Sequence, residues 1–420
     1  MKKILLIAPQ PFYCNRGTPM NVRAVASTRA DAGYGVHLLV YPFGEDIKIP
    51  GVTIHRAARP PFIAGVPIGP SWKKLICDVG LCATAARLAL RHSFDAFHGI
   101  EEGGIIAGVL AAAKRRPYVY DMDSNMTVQL RTSSFRRIPG FVSLIERIDN
   151  MFIRRAASVI TVCAALTESA AKVRDPKGIH QIEDFPVETS LDVRETFVSE
   201  LRARLLLDGK KVMLYTGNLE EYQGVQLLIR AFGRFLEGSP DERLTARLLI
   251  VGGEVEQVAE CLALAREHGC SAETILPGKQ PLEDMGSYMA LANVLCSPRE
   301  LGENTPLKIF TYMATGTPIL ATNIRSHTQV LSSESAFLAE PNETSLAAAI
   351  REVLDASDLG RREAVRRGEC AAELARTRYS YERFQRQVRA VYTQLFPNSA
   401  ESVKYTGVAS ELLANDTKRS

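Results

Sequence analysis

Short apolar runs alternate with longer helical patterns along most of the chain, and this rhythm restricts the fold more than any single residue does. In the first half the runs are KKILLIAP, GVHLLVYP, DAFHGI, PYVYDM and ASVITVC, with helical patterns near 18–33, 71–92, 103–115 and 138–156 between them. A second series, KVMLYTG, ARLLIVGG, ETILPG, NVLCSP and TPILAT, is separated by patterns near 224–236, 255–268, 281–291 and 305–315. Apolar strands spaced by helices give parallel, doubly wound α/β sheets, because each crossover helix covers a sheet face.

Two such series in 420 residues predict two Rossmann-like domains, since a single core stops growing well below that length. The expected boundaries are 1–190 for the first domain and 191–378 for the second. A final helix is expected over 379–396 and a loose polar tail over 397–420. The segment HQIEDFPVETSLDVRETFVSE interrupts the rhythm and reads as a linker; a helical stretch is expected from about 343 to 377.

Composition narrows the class. The chain is 46% hydrophobic and 23% charged, as in a soluble globular protein. The opening MKKILLIAP is read as a buried strand rather than a leader, so a cytoplasmic location is expected. The eight cysteines form no C-x-x-C pair, which argues against zinc or a disulfide framework and predicts small buried hydrophobes; no metal is expected. Residues 1–190 carry 24 Lys/Arg against 16 Asp/Glu, whereas the remainder carries 27 against 31. The basic first half suggests an anionic partner, but its dispersed cations and lack of a binding motif exclude nucleic acid.

In open α/β sheets, ligands bind beyond the carboxyl ends of the strands. After the first strand, Arg16, Gly17 and Thr18 precede a helix with Pro19 near its first position, a reasonable anion site. The stretch FHGIEEGG supplies His98, Glu101 and Glu102, and YDMDSNM supplies Asp121, Asp123, Ser124 and Asn125. A lone strand-end histidine is more often structural. In the second half, Gly217 and Asn218 open a loop, and Gln223 and Gly224 open the next helix. In GENTPLKIF, Asn304 or Thr305 is expected to cap a helix with Pro306 in its first turn, leaving N–H groups before Leu307 free. Lys308 sits where the helix dipole disfavours a cation, by roughly 0.3–1 kcal/mol. A bound anion would reverse that cost.

On the first Gly-containing turn, YTGNLEEYQG, RLLIVGG and above all TPLKIFTYMATGTPILAT, the chain resembles GT-B glycosyltransferases of the family 4 type over about residues 1–395. The resemblance implies two domains facing a cleft, with the final helix crossing back to the first. It implies retaining, metal-independent transfer from a nucleotide sugar, UDP- or GDP-linked, held by the second domain, with no further cofactor. The acceptor, a glycan, glycolipid or lipid-linked species, would lie on the first domain. The implied catalytic residues are Asp123, Glu303 and Lys308. The implied donor-binding residues are Arg16, Gly17, Thr18, Gly217, Asn218, Gln223, Glu303, Asn304, Thr305, Pro306, Leu307, Lys308 and Thr311.

The chain departs from the family pattern in several places. Thr311 stands where a second glutamate is usual, Asn218 and Gln223 where an arginine and a lysine grip the diphosphate, and Asp123 where a histidine is common. Two other functions follow from this sequence: a sugar-nucleotide epimerase of the same fold, or a catalytically weak partner in a glycan-assembly complex. Finally, Trp72, Leu75, Ile76, Val79, Ala83 and Ala86 share one helical face, with Lys73 and Lys74 near its start. That pattern suits peripheral contact with an anionic membrane, or a crossover helix packing this face on the sheet, which is the expected arrangement.

Overall fold

The computed structural model describes residues 1–14, 17–67, 71–187, 191–238 and 241–397. Arg16 and most of the polar tail lie outside the described residues. Seven parallel strands form the first sheet: β1 Lys3–Ala8, β2 Gly35–Val40, β3 Val52–Arg56, β4 Ala96–Ile100, β5 Tyr118–Met122, β6 Ser158–Thr161 and β7 Ile179–Gln181, in the order β3-β2-β1-β4-β5-β6-β7. Six form the second: β8 Lys211–Thr216, β9 Ala246–Val251, β10 Thr274–Gly278, β11 Val294–Ser297, β12 Ile319–Thr322 and β13 Phe337–Ala339, in the order β10-β9-β8-β11-β12-β13. Every strand pair is parallel, as expected.

The chain divides into two compact units, Met1–Glu183 with the chain from Glu382, and Asp184–Tyr381. The central strands are apolar without alternation because both sheet faces are covered. In the second unit, Met213, Tyr215, Leu248 and Ile250 enter one core, and Val212, Leu214, Leu249 and Val251 the other.

Strands β3, β7 and β13 were not foreseen. They lie at sheet edges: β3 is partly exposed, and β7 and β13, at three residues each, are too short to mark out a strand. The expected linker is also corrected: it overlaps the end of β7 and the start of a helix, Glu195–Arg204. That helix buries only Leu201 fully, so it carries no periodic apolar stripe. It belongs to the second unit, tied there by the Arg194 N–H donating to Ser287 Oγ at 3.1 Å. The stretch 343–377 is two helices, Glu343–Val353 and Asp358–Thr377, capped by Asn342 and Ser357 side chains.

The final helix, Tyr381–Leu395, buries Phe384, Val388, Val391 and Tyr392. The Tyr392 hydroxyl lies 2.7 Å from His98 Nδ1, and His98 Nε2 lies 3.0 Å from Asp121 Oδ2. An ionised Asp121 accepts from Nε2–H, leaving Nδ1 to accept the tyrosine proton. The Arg29 guanidinium stacks 4.1 Å from the Tyr392 ring centroid. His98 is therefore a buried structural bridge between β4 and the final helix.

The helix Trp72–Arg91 reverses the expected packing. Its buried face is Cys77, Leu81, Thr84, Ala85, Leu88 and Ala89, whereas Trp72, Leu75, Ile76, Val79, Ala83 and Ala86 are exposed. The buried face combines Leu81 and Leu88 with the smaller Cys77, Thr84, Ala85 and Ala89. Among the described residues, no helix is long and apolar enough to cross a membrane.

At the β2/β3 edge, His37 Nδ1 meets His55 Nε2 at 2.9 Å with the rings stacked, and His92 lies beside them. Burial, then the His55 and His92 charges, push His37 down from 6.5 to about 4, and burial lowers His55 as well. The unfolded chain therefore takes up protons below 6.5 that the folded chain refuses, so stability falls with pH between 6.5 and about 4. Allowing for partial solvent exposure, His37→Gln should flatten that fall by roughly 1–2 kcal/mol. Urea unfolding of both proteins near pH 7 and near pH 5 measures it; equal pH dependence would contradict the account.

Candidate active site

In the second sheet, successive strands run outward in opposite directions from β8 and β11, which pair side by side. This switch point opens a crevice at the carboxyl edge, and the helix Leu307–Thr315 is anchored there. Lys308 Nζ donates to the Thr216 carbonyl at 3.2 Å and sits 3.7 Å from the Tyr215 ring centroid. One turn later the Tyr312 hydroxyl accepts the Thr216 N–H at 2.9 Å. The i, i+4 pair thus grips the last residue of β8 from one helix face.

The glycines explain how the loops approach so closely. Gly217 adopts a φ of +140° and its position would place a Cβ 3.2 Å from Lys308 Nζ, so a side chain there would crowd the ammonium. Gly224, with a φ of +69°, lets the helix Val225–Glu237 begin against the Pro298 carbonyl, where any Cβ would collide.

The helix start differs from the expected one. Pro306 is the N-cap rather than a first-turn residue, and no side chain caps the helix. Asn304 instead accepts from Arg299 through its carbonyl and side-chain oxygens, at 3.1 and 3.4 Å. Gln329 Nε2 donates to the Glu303 carbonyl at 2.8 Å and to Thr305 Oγ1 at 3.2 Å. With Asn304 and Thr305 so engaged, the N–H groups of Leu307 and Lys308 are left for a ligand.

Sequence reading missed Arg299 and Gln329. Arg299 is 8% exposed, spans the loop by also donating to the Leu301 carbonyl at 2.7 Å, and faces the Tyr222 ring. Its one sequence signal was a basic residue directly after a buried strand. Also unforeseen was His327, which ties the ends of β11 and β12 through Ser297 Oγ and the Thr322 carbonyl, both at 2.9 Å.

The edge is electrostatically unbalanced. Burial, then Arg299, hold Lys308 well below the ordinary lysine value, with Cys296 opposing. Burial also lowers Arg299. Two cations sharing a desolvated edge make a receptor for an anion, which would restore the full charge of Lys308.

The remaining sites expected in this unit are less uniform. Gln223 is 8% exposed and its Oε1 has no hydrogen-bond partner, so it has an acceptor to offer. Asn218 is exposed and accepts the Glu220 N–H, shaping its own loop. Thr311 is buried, and its hydroxyl accepts the Val187 N–H at 3.2 Å.

In the first unit, Gly17 and Thr18 lie inside the first turn of the helix Gly17–Asp31 rather than before it. Asn21 of the same helix donates to Asp123 Oδ1 at 3.3 Å, which holds Asp123 just beyond β5. Glu101 accepts from Ser124 at 2.7 Å, and Lys74 pairs with Glu102.

Residues 198–369 match the family model described as glycosyl transferases group 1. The chain is 23% identical to a phosphatidyl-myo-inositol mannosyltransferase of Mycolicibacterium smegmatis over 78% of each sequence. It is 30% identical to a D-inositol 3-phosphate glycosyltransferase of Acidothermus cellulolyticus over 37% of this chain and 35% of that one. Among solved structures it is similar to a sucrose-phosphate synthase from Thermosynechococcus elongatus, with a TM-score of 0.76 and 19% identity over 95% of this chain and 100% of that one. It is also similar to HepE from Anabaena in complex with UDP, with a TM-score of 0.72 and 17% identity over 94% and 100%.

A diphosphate beside Lys308 raises the lysine's lowered value, so between the free and bound values binding draws a proton from solution. Calorimetric titration with UDP at a series of pH values, in buffers of different ionisation heat, should show proton uptake that Lys308→Met abolishes. An apparent enthalpy independent of buffer would contradict the assignment.

Proposed function

We propose that this chain, whose residues 198–369 match the model of the glycosyl transferases group 1 family, is a GT-B glycosyltransferase that moves a sugar from a UDP- or GDP-linked donor with retention of configuration and without a metal. The acceptor is a glycan, glycolipid or lipid-linked glycan at the cytoplasmic face of a membrane. The observation that carries the reading is Lys308: a lysine buried at the switch point of the second sheet, beside two available N–H groups and a second cation.

In the proposed mechanism, the bond from the anomeric carbon to the diphosphate breaks through an oxocarbenium-like state, and negative charge builds on the leaving phosphate. Lys308 and the N–H groups of Leu307 and Lys308 stabilise that charge, while Arg299 holds the loop in place and adds its field. Glu303 orients sugar hydroxyls, and Gln223 offers its unpartnered oxygen to the donor. Arg16, Gly17, Thr18 and Asp123 are the proposed first-unit contacts, Asp123 to the sugar or acceptor. Preorganised donors of this kind each contribute about 3 kcal/mol.

A second reading draws on Thr311, whose hydroxyl is occupied by the Val187 N–H at a position where the family resemblance implies a second glutamate. Together with Asn218 and Gln223, it supports a catalytically weak partner protein. An epimerase would convert a nucleotide sugar with no acceptor present.

Thermal denaturation with UDP, GDP, ADP and dTDP separates these readings. At 100 times its dissociation constant, the true nucleotide adds about 2.7 kcal/mol, a clear rise in Tm. Lys308→Ala should abolish the rise and lower turnover roughly 100-fold. Folded protein that responds to no nucleotide would favour the partner reading.

A further inference from the structure

The loop 299–305, which carries Arg299 and leads to the helix Leu307–Thr315, is fastened from a single segment beyond β12. A short helix, Arg325–Thr328, follows that strand, and His327 within it is fully buried. His327 Nδ1 lies 2.9 Å from the Thr322 carbonyl, which can only accept, so Nδ1 carries the proton. Nε2 therefore accepts from the Ser297 hydroxyl at 2.9 Å. Burial, opposed by the bond to Thr322 and aided by the charges of Arg299 and Lys308, holds the ring down to about 4, so it is neutral near pH 7.

This tautomer reaches the loop. Nδ1–H also meets the Thr322 hydroxyl oxygen at 3.1 Å, which turns that hydroxyl's own proton toward the Arg299 carbonyl. Two residues after His327, Gln329 Nε2 holds the Glu303 carbonyl and the Thr305 hydroxyl. The loop is thus pinned at its first residue and at two near its end. The sheet does not need these bonds, because β11 and β12 already pair as far as Ser297 and Ala321, at the last residue of β11. What lies beyond is the loop itself. Within it, Gly302 has a φ of +135°, and a Cβ there would collide with the Arg299 guanidinium, so the chain closes directly over that cation. The Arg299 charge acts against that of Lys308, and cations so placed stay together only where the backbone carrying them is held.

We propose that His327 and Gln329 are positioning residues for diphosphate binding: from one segment outside the anion site, they set where Arg299 stands relative to Lys308 and the helix N-terminus. The inference rests on the sugar-transfer reading and adds to it two residues that act only through the 299–305 loop.

The test is titration of the full chain with UDP or GDP, whichever the parent binds, and with the matching nucleoside, alongside Tm. His327→Leu and Gln329→Leu should each lower affinity for the diphosphate about tenfold. Uridine or guanosine, with no phosphate for Arg299 and Lys308 to attract, should bind each variant as it binds the parent. His327→Asn, which keeps a donor for the Thr322 carbonyl, should recover most of the loss. Gln329 is only half-buried, so its variant decides the matter should His327→Leu fail to fold. Variants that bind the diphosphate like the parent would overturn the proposal. So would equal losses for diphosphate and nucleoside, which would mark a general loss of structure. A parent that binds neither diphosphate would overturn the sugar-transfer reading itself, and this inference with it.

Discussion

The second unit's carboxyl edge is organised around a lysine amine taken out of water. Lys308 lies against the Thr216 carbonyl and the Tyr215 ring, with Gly217 leaving room for it and Tyr312 fixing the same strand end. A lysine in that position is costly: burial, the helix dipole and Arg299 all act against its charge. An anion at the helix N-terminus relieves all three at once, so what is unfavourable in the free protein becomes preorganised attraction in the complex. Gln329 and Arg299 hold the 299–305 loop by hydrogen bonds to Glu303, Thr305, Leu301 and Asn304, keeping it off the helix end.

The first unit is built to the same plan but tied together differently. Its final helix is locked by the Tyr392–His98–Asp121 chain of hydrogen bonds and by Arg29 over the Tyr392 ring. A histidine that the sequence places beside possible site residues is thus occupied in joining β4 to a helix nearly 300 residues away in the chain. Satisfied buried polar groups of this kind specify which helix docks where.

Much of the fold was legible because parallel strands covered on both faces leave continuous apolar runs, as β1, β8 and β9 do. Edge strand β3 is partly exposed and leaves no such run, and β13 is only three residues long. Lys308 and Gly217 were singled out by their strand-end positions together with the family resemblance, and the structure sets them side by side. Arg299 and Gln329 were missed because their importance lies in contacts that only the folded loop creates. The capping role of Asn304 and Thr305 was misread for the same reason: residue type announces that a polar partner will be found, not which one. On the helix Trp72–Arg91 the apolar residues were seen but assigned to the wrong side. Periodicity identifies a stripe but not which of two apolar faces is buried, and here Cys77, Leu81, Ala85 and Leu88 form the second one.

The most direct test of the central claim is an experimental structure with UDP bound. The account predicts diphosphate oxygens within hydrogen-bond distance of Lys308 Nζ and of the N–H groups of Leu307 and Lys308, at the β8/β11 switch point. A nucleotide bound elsewhere on the chain, with Lys308 still held only by Thr216 and Tyr215, would contradict it.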